Sequence, residues 1–407
     1  MKSTTHTRHT FLPRTWTSSM TLLALAALSA CNQKAMVGDE ADSLTGGSGG
    51  ASPSGVTVGV NDSGASGGMG GSLLPASGGS AGISTNTSTG ATSTCAPIST
   101  SPGVVNACGH TFAAAFSPNG QFLVTGGDDQ TPSASLWRLR DGTALFNPAG
   151  TERETTYAAA FSPDSSLVAT AGTLTDSSPD VAFVRVWNVA TGELLRTLPT
   201  NAGWYADSVA FSHDGTLIAT GGLKDNVEIW RTSDGARLRS FAVPSTAHNV
   251  HFSPDDTLLM GAIVDGTARI WNVQDGSLVR TIPTTSEMAD ADWSPDGKLI
   301  ASTTDGNIVK IWDAASGALV QSLSGHSAYI SHVAWVDKDR LLSDDWSGVV
   351  NLWARSTTDS FALAATWTTG GQALGIAISP DKSVFVTGGA KATATGFAFF
   401  PLPAPAS

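Results

Sequence analysis

Apolar and polar positions beyond residue 108 follow one scheme, written seven times. The stretch from Ser208 reads "SVAFSHDGTLIATGG": a short apolar run, a polar turn, then a second apolar run closing on glycines. Its counterparts are "AAAFSPNGQFLVTGG", "AAAFSPDSSLVATAG", "NVHFSPDDTLLMGAI", "DADWSPDGKLIASTT", "HVAWVDKDRLLSDDW" and "GIAISPDKSVFVTGG". They are anchored on Phe116, Phe161, Phe211, Phe252, Trp293, Trp335 and Ile378. Short apolar runs bounded by Pro, Asp and Gly predict two strands, a and b, joined by a hairpin turn. Six units continue to a second aromatic anchor, Trp137, Trp187, Trp230, Trp271, Trp312 or Trp353, and the seventh offers Phe397 or Phe399. "NVEIW" is therefore strand c. "RLRSF", "SLVRTI" and "ALVQSL" supply strand d behind Asp234-Gly235, Asp275-Gly276 and Ser316-Gly317, turns in which glycine tolerates positive φ. No segment carries a sustained helical period.

One four-stranded unit recurring a little over every forty residues predicts a propeller with one blade per repeat. The units resemble WD40 repeats, and the resemblance runs from about residue 109 to 400. Trp312-Asp313 is the one true Trp-Asp dipeptide, with Trp187-Asn188 and Trp271-Asn272 close to it; Gly-His occurs at Gly109-His110 and Gly325-His326. The structural tetrad of that family (His, Ser or Thr, Trp, Asp) is incomplete in most units. The sixth comes nearest, with His326, Ser343, Asp345 and Trp353, although Asp345 stands two residues early. The resemblance implies an all-β, seven-bladed propeller of antiparallel strands, used as a protein-binding or scaffolding module.

The first thirty residues have a different pattern. "TLLALAALSACN" is an apolar run of roughly half the 20 or so residues a membrane span needs. Lys2, Arg8 and Arg14 precede it with no acidic residue, as in a secretory signal. Leu28-Ser29-Ala30-Cys31 resembles the lipobox of a bacterial lipoprotein signal. That resemblance implies removal of residues 1–30 and a mature chain anchored through lipid on Cys31, its acyl chains inserting at about 0.8 kcal/mol per buried methylene. An ordinary cleaved signal with an incidental cysteine is the alternative. Asn32, rather than Asp, after the cysteine resembles the Gram-negative pattern for an outer-membrane destination in the cell envelope.

Residues 31–94 are Gly, Ser, Thr and Ala with few large apolar side chains, as in "GGSGGASPSG". Such a composition cannot offset its ordering entropy by burial, so it is expected to be a tether. A Gly-rich chain of that length has a root-mean-square span of about 45 Å. The propeller is assigned to residues 95–407. Cys95 and Cys108 are the only cysteines left after Cys31, and in an exported chain they pair most simply as a disulfide, worth about 3 kcal/mol in loop entropy. Closing the ring requires an outer strand for the seventh blade, because the chain ends in "PLPAPAS". "GVVNACGH", residues 103–110, stands where the WD40 family places its closing N-terminal strand, and the disulfide would pin it there.

Composition narrows the partners. The formal charge of −12 argues against nucleic acid, whose phosphates require a surplus of Lys and Arg. Charged residues are only 14% and apolar ones 41%, enough for a large core. No cofactor is implied, and the propeller is expected to be monomeric.

Candidate chemistry is sparse. The sequence has no His-Glu-x-x-His, no Cys-x-x-Cys and no Gly-x-Ser-x-Gly at a strand-to-helix turn. Innermost strands crowd about the axis and should carry small residues. Units four to six depart from this with Asn249, His251, Asp290, Asp292 and His332. The expectation is a hydrogen-bonded network by the central channel; a ligand or cation site there, or a propeller hydrolase or lyase using it, is the alternative. His248 and His251 of "HNVH" cannot share a ligand from one strand, because that spacing turns them to opposite sides. The other candidate surface is the face made by the d–a and b–c loops. Two of its loops are long, "GDDQTPSAS" and "GTLTDSSPDVAF", and it offers Tyr157, Trp204, Tyr205 and Tyr329 as aromatic partner anchors. Packing of Trp204 beneath its own loop is the competing reading.

Overall fold

The computed structural model describes residues 103–105, 111–128, 133–150, 153–175, 181–200, 205–223, 226–284, 289–304, 306–356, 359–369, 372–391 and 394–404. The expected signal, Cys31, the expected tether, Cys95, Cys108 and Trp204 lie outside them.

Seven antiparallel sheets of four strands make seven blades. The described residues contain no helix. Strand a of the successive blades is Thr111–Phe116, Glu154–Phe161, Ser208–Phe211, Ala247–Phe252, Ala291–Trp293, Ile330–Asp337 and Gln372–Ile378. In the first six blades the chain continues through strands b, c and d in order. The seventh takes its outer strand from the other end of the chain: Gly103–Val105 pairs antiparallel with Ala394–Pro401, Val104 facing Ala398. Of the closing strand expected at 103–110, the described residues Gly103–Val105 form it, and 106–110 lie outside the described residues.

The hairpin between strands a and b shows why "SPDG" recurs. In blade five the Ser294 hydroxyl donates to Asp296 at 2.7 Å and accepts from the Leu299 amide at 2.9 Å, while Asp296 accepts from the Lys298 amide at 3.2 Å. Gly297 sits at φ 71°, where a side chain is strained. The serine and acid fill hydrogen bonds that the reversal takes from the ladder.

The second anchor lies opposite strand b, where its indole finds a hydroxyl. Trp137, Trp187, Trp230, Trp312 and Trp353 donate from Nε1 to Thr125, Thr170, Thr220, Ser302 and Ser343 at 2.8–3.1 Å. Blade four has Gly261 at that place, and Phe241 stacks on Trp271 instead, with centroids 5.0 Å apart. In blade seven the register puts Phe400, not Phe397 or Phe399, in the anchor position: Ile378 faces Phe385, which faces Phe400. Phe397 and Phe399 pack instead against Trp137 and Phe116 of blade one, so the last strand joins the core of the first blade.

Outer strands hold the next blade by its c–d turn. Arg280 donates to the carbonyls of Ser316, at 2.6 Å, and Ala315; Arg196 and Arg239 reach Thr232 and Gln274 likewise. In blade five Gln321 replaces the arginine and bonds both backbone groups of Phe361 at 2.8 Å.

Candidate functional site

The polar residues of blades three to six come together, and their bonds run from blade to blade. Strand a is an edge strand, so its outward N–H groups lack a ladder partner. Side chains of the preceding blade supply acceptors. Ser208 Oγ accepts from the Val250 amide at 3.0 Å, Asp290 from the Val333 amide at 3.0 Å and Asp292 from the Trp335 amide at 3.1 Å. Ser208 donates to Asn249 at 3.0 Å, and Asn249 donates in turn to Asp290. His251 lies 3.6 Å from Asp292 and 3.8 Å from Asp290. His332 turns to Asp344 of its own blade, which accepts from its amide at 2.9 Å and lies 3.1 Å from Nδ1. Asn249, Asp290, Asp292 and His332 are buried. Among the described residues no group of three or more His, Cys, Asp or Glu side chains is arranged to hold a metal ion.

His248 and His251 face different neighbours. His248 pairs with Asp207 of blade three at 3.5 Å, while His251 faces the acids of blade five. Burial pushes the Asp207 and Asp344 carboxyls above their ordinary range, their histidines opposing the shift.

One constellation has the connectivity of a hydrolytic triad. His326 Nε2 is 2.7 Å from Ser343 Oγ and its Nδ1 is 2.8 Å from Asp345 Oδ2. Trp353 Nε1 also donates to Ser343 Oγ, at 2.8 Å, and Ser343 is fully buried. A hydroxyl in that position has no path to a substrate carbonyl and is oriented by the indole, so the group is the structural tetrad of blade six. Asp345 serves although it comes early in sequence, because it also accepts from the Ser347 and Val349 amides and sits at the head of the turn.

The aromatic candidates also converge, with one correction. Tyr157 is not carried on a loop. It belongs to strand a of blade two and is 3% exposed, because the strand begins earlier than the apolar run suggested. Tyr157 is the residue four before its anchor, where the pairing register shifts by one. The same shift occurs at Phe112, His248, Ser331 and Leu374. An inserted residue of this kind re-aims a side chain. Phe112, Tyr157 and Leu374 form a buried cluster, and Tyr205 and Trp346 pack on it partly exposed. Phe112 and Tyr157 are stacked with centroids 5.9 Å apart, and Tyr205 meets Tyr157 edge-on at 6.2 Å. Tyr329, also partly exposed, lies 5.0 Å from Trp346. Tyr157, Tyr205 and Tyr329 therefore share one aromatic arc on the loop face, with Phe112, Trp346 and Leu374 as members the sequence reading missed. Trp204, next to Tyr205, lies outside the described residues.

Comparison with known families falls on the same strands. Two family models match, and both describe WD40 repeats. The model of the WD domain, G-beta repeat matches residues 103–131 and 192–231. Its first match begins at the closing strand, and its second runs from the outer strand of blade two through strand c of blade three. The anaphase-promoting complex subunit 4 WD40 domain model matches residues 284–338, blade five and the start of blade six. No curated protein matches the chain. WD40 propellers are generally interaction scaffolds.

Proposed function

We propose that this chain is an exported, lipid-anchored WD40-like propeller whose loop face docks a protein partner, with no catalytic step of its own. The aromatic arc carries the proposal. Tyr205 and Trp346 stay partly exposed while packed on buried neighbours, and Tyr329 packs on Trp346, which makes them rigid apolar anchors of the kind that dominate binding energy. Trp204 immediately precedes Tyr205 in the sequence. The lipid on Cys31 would hold the domain at the outer membrane and the tether would give it reach. The channel residues act in this reading as structure, because they bond to edge amides and to one another.

Chemical crosslinking and pull-down from membranes, comparing the intact protein with Trp204→Ala/Tyr205→Ala, tests the face. Loss of one or more specific partners is expected, and an unchanged partner set would remove the proposal. Cys31→Ala should move the protein from the membrane to the soluble fraction.

A further inference from the structure

One seam of the ring lacks the latch that holds the others. The latch is the strand-d residue paired with the position just before the second anchor. In blades two to five it is Arg196, Arg239, Arg280 and Gln321, each bonded to backbone at the next blade's c–d turn. Blade one has Phe146, whose ring lies against Gly192 in the turn of blade two. Blade six has only Ala365, but blade seven has no c–d turn to hold, because its outer strand comes from the other end of the chain. In blade seven the latch position is Gly103, opposite Phe399. A glycine sends no side chain to the turn of blade one.

That turn borders a cavity of about 660 Å³, lined by Gly120, Gln121, Phe122, Arg138, Leu139 and Arg140. Leu139 and Arg140 stand two and three residues past Trp137, as Thr232 and Gln274, the acceptors for Arg196 and Arg239, stand past their own anchors. Leu139 also packs on the cluster that contains Phe399, the pairing partner of Gly103. The cavity is therefore the place a latch would fill. Residues 95–102, "CAPISTSP", lie outside the described residues and lead directly into Gly103. Ile98 is the one large apolar side chain between residues 84 and 102. Five residues of extended chain reach about 17 Å, well beyond what one arginine bridges at the other seams. A covalently attached segment also has an effective concentration in the millimolar range, which a free partner does not match.

We propose that residues 98–102 dock in this cavity, with Ile98 against Phe122 and Leu139, and latch the seam that Gly103 leaves open. The tether then leaves the domain from the c–d-turn face, opposite the aromatic arc. This inference does not depend on the loop-face reading.

The test places a photocrosslinking residue at position 98 of the full chain, and separately at position 88 in the expected tether. Irradiated as dilute purified protein and mapped by mass spectrometry, position 98 should give an adduct within one chain to residues 120–122 or 138–140. Position 88 should not. A second measurement is thermal: Ile98→Ser should lower Tm by about 3 °C, and by less than about 1 °C when Leu139→Ser is already present. No adduct from position 98, adducts only between two copies, or the same adduct from position 88 would overturn the proposal. So would a Tm that Ile98→Ser leaves unchanged, or lowers equally in both backgrounds.

Discussion

Asp292→Ala separates a structural channel network from a ligand site. Asp292 is 2% exposed and accepts from the Trp335 amide at 3.1 Å; Trp335 itself is fully buried. Removing the carboxylate leaves that amide without an acceptor, at a cost of about 1–3 kcal/mol. The bond from Trp335 Nε1 to the Asp292 carbonyl, at 3.2 Å, survives because it uses backbone. The expected loss is about 2 kcal/mol, a shift of about 4 °C in Tm. Asp292→Asn retains an acceptor oxygen and should lose less than about 1 kcal/mol. Thermal and urea melts of the three proteins, with EDTA and with added divalent metals, read this directly. An alanine variant within about 0.5 kcal/mol of wild type would refute the edge-capping argument. So would a metal that raises the wild-type Tm and leaves the variant unmoved.

Ser343→Ala should destabilise by about 2–4 kcal/mol, since the buried Trp353 indole and His326 Nε2 both lose the same oxygen; a urea-melt difference under about 1 kcal/mol would refute the tetrad as a structural unit. Asp207 and Asp344 have folded pKa values raised above 3.8, so their contribution to stability is fully present at low pH and falls away as pH rises beyond that value. Turn acids such as Asp164, Asp255 and Asp296 have lowered values, so their contribution is present above 3.8 and is lost on acidification. Urea midpoints should therefore peak at mildly acidic pH, and Asp207→Asn should flatten the decline above the peak; stability climbing steadily to pH 8 would contradict both directions. Reduction of the expected Cys95–Cys108 disulfide should lower the Tm of the isolated domain, and an unchanged Tm would count against that pairing.

The blades were legible because their signals are local. A hairpin needs its Ser, Asp and Gly in one short stretch, and a blade core needs an aromatic at a fixed interval. Ring closure was legible because the seventh repeat lacks an outer strand and "GVVNACGH", residues 103–110, stands where the WD40 family it resembles places its closing strand. The polar channel residues were legible as exceptions to a rule of small side chains. Their bonding was not, because each acceptor serves an amide some forty residues away on the next blade. The aromatic arc was harder. Tyr157 and Phe112 reach it through a one-residue shift in pairing register that period-two patterning does not reveal. Trp346 stands beside "SDD" and looks like loop filler until blades six and seven are adjacent. Phe400 escaped for the same reason: three phenylalanines fall within four residues, and only the register chooses among them.

A photocrosslinking residue placed at position 346 on the loop face, and separately at exposed Asp234 on the opposite face, tests the account most directly. With each protein expressed in membranes and irradiated, position 346 should yield a discrete adduct with another protein and position 234 should not. Adducts from 234 alone, or from neither position, would contradict the loop face as the docking surface.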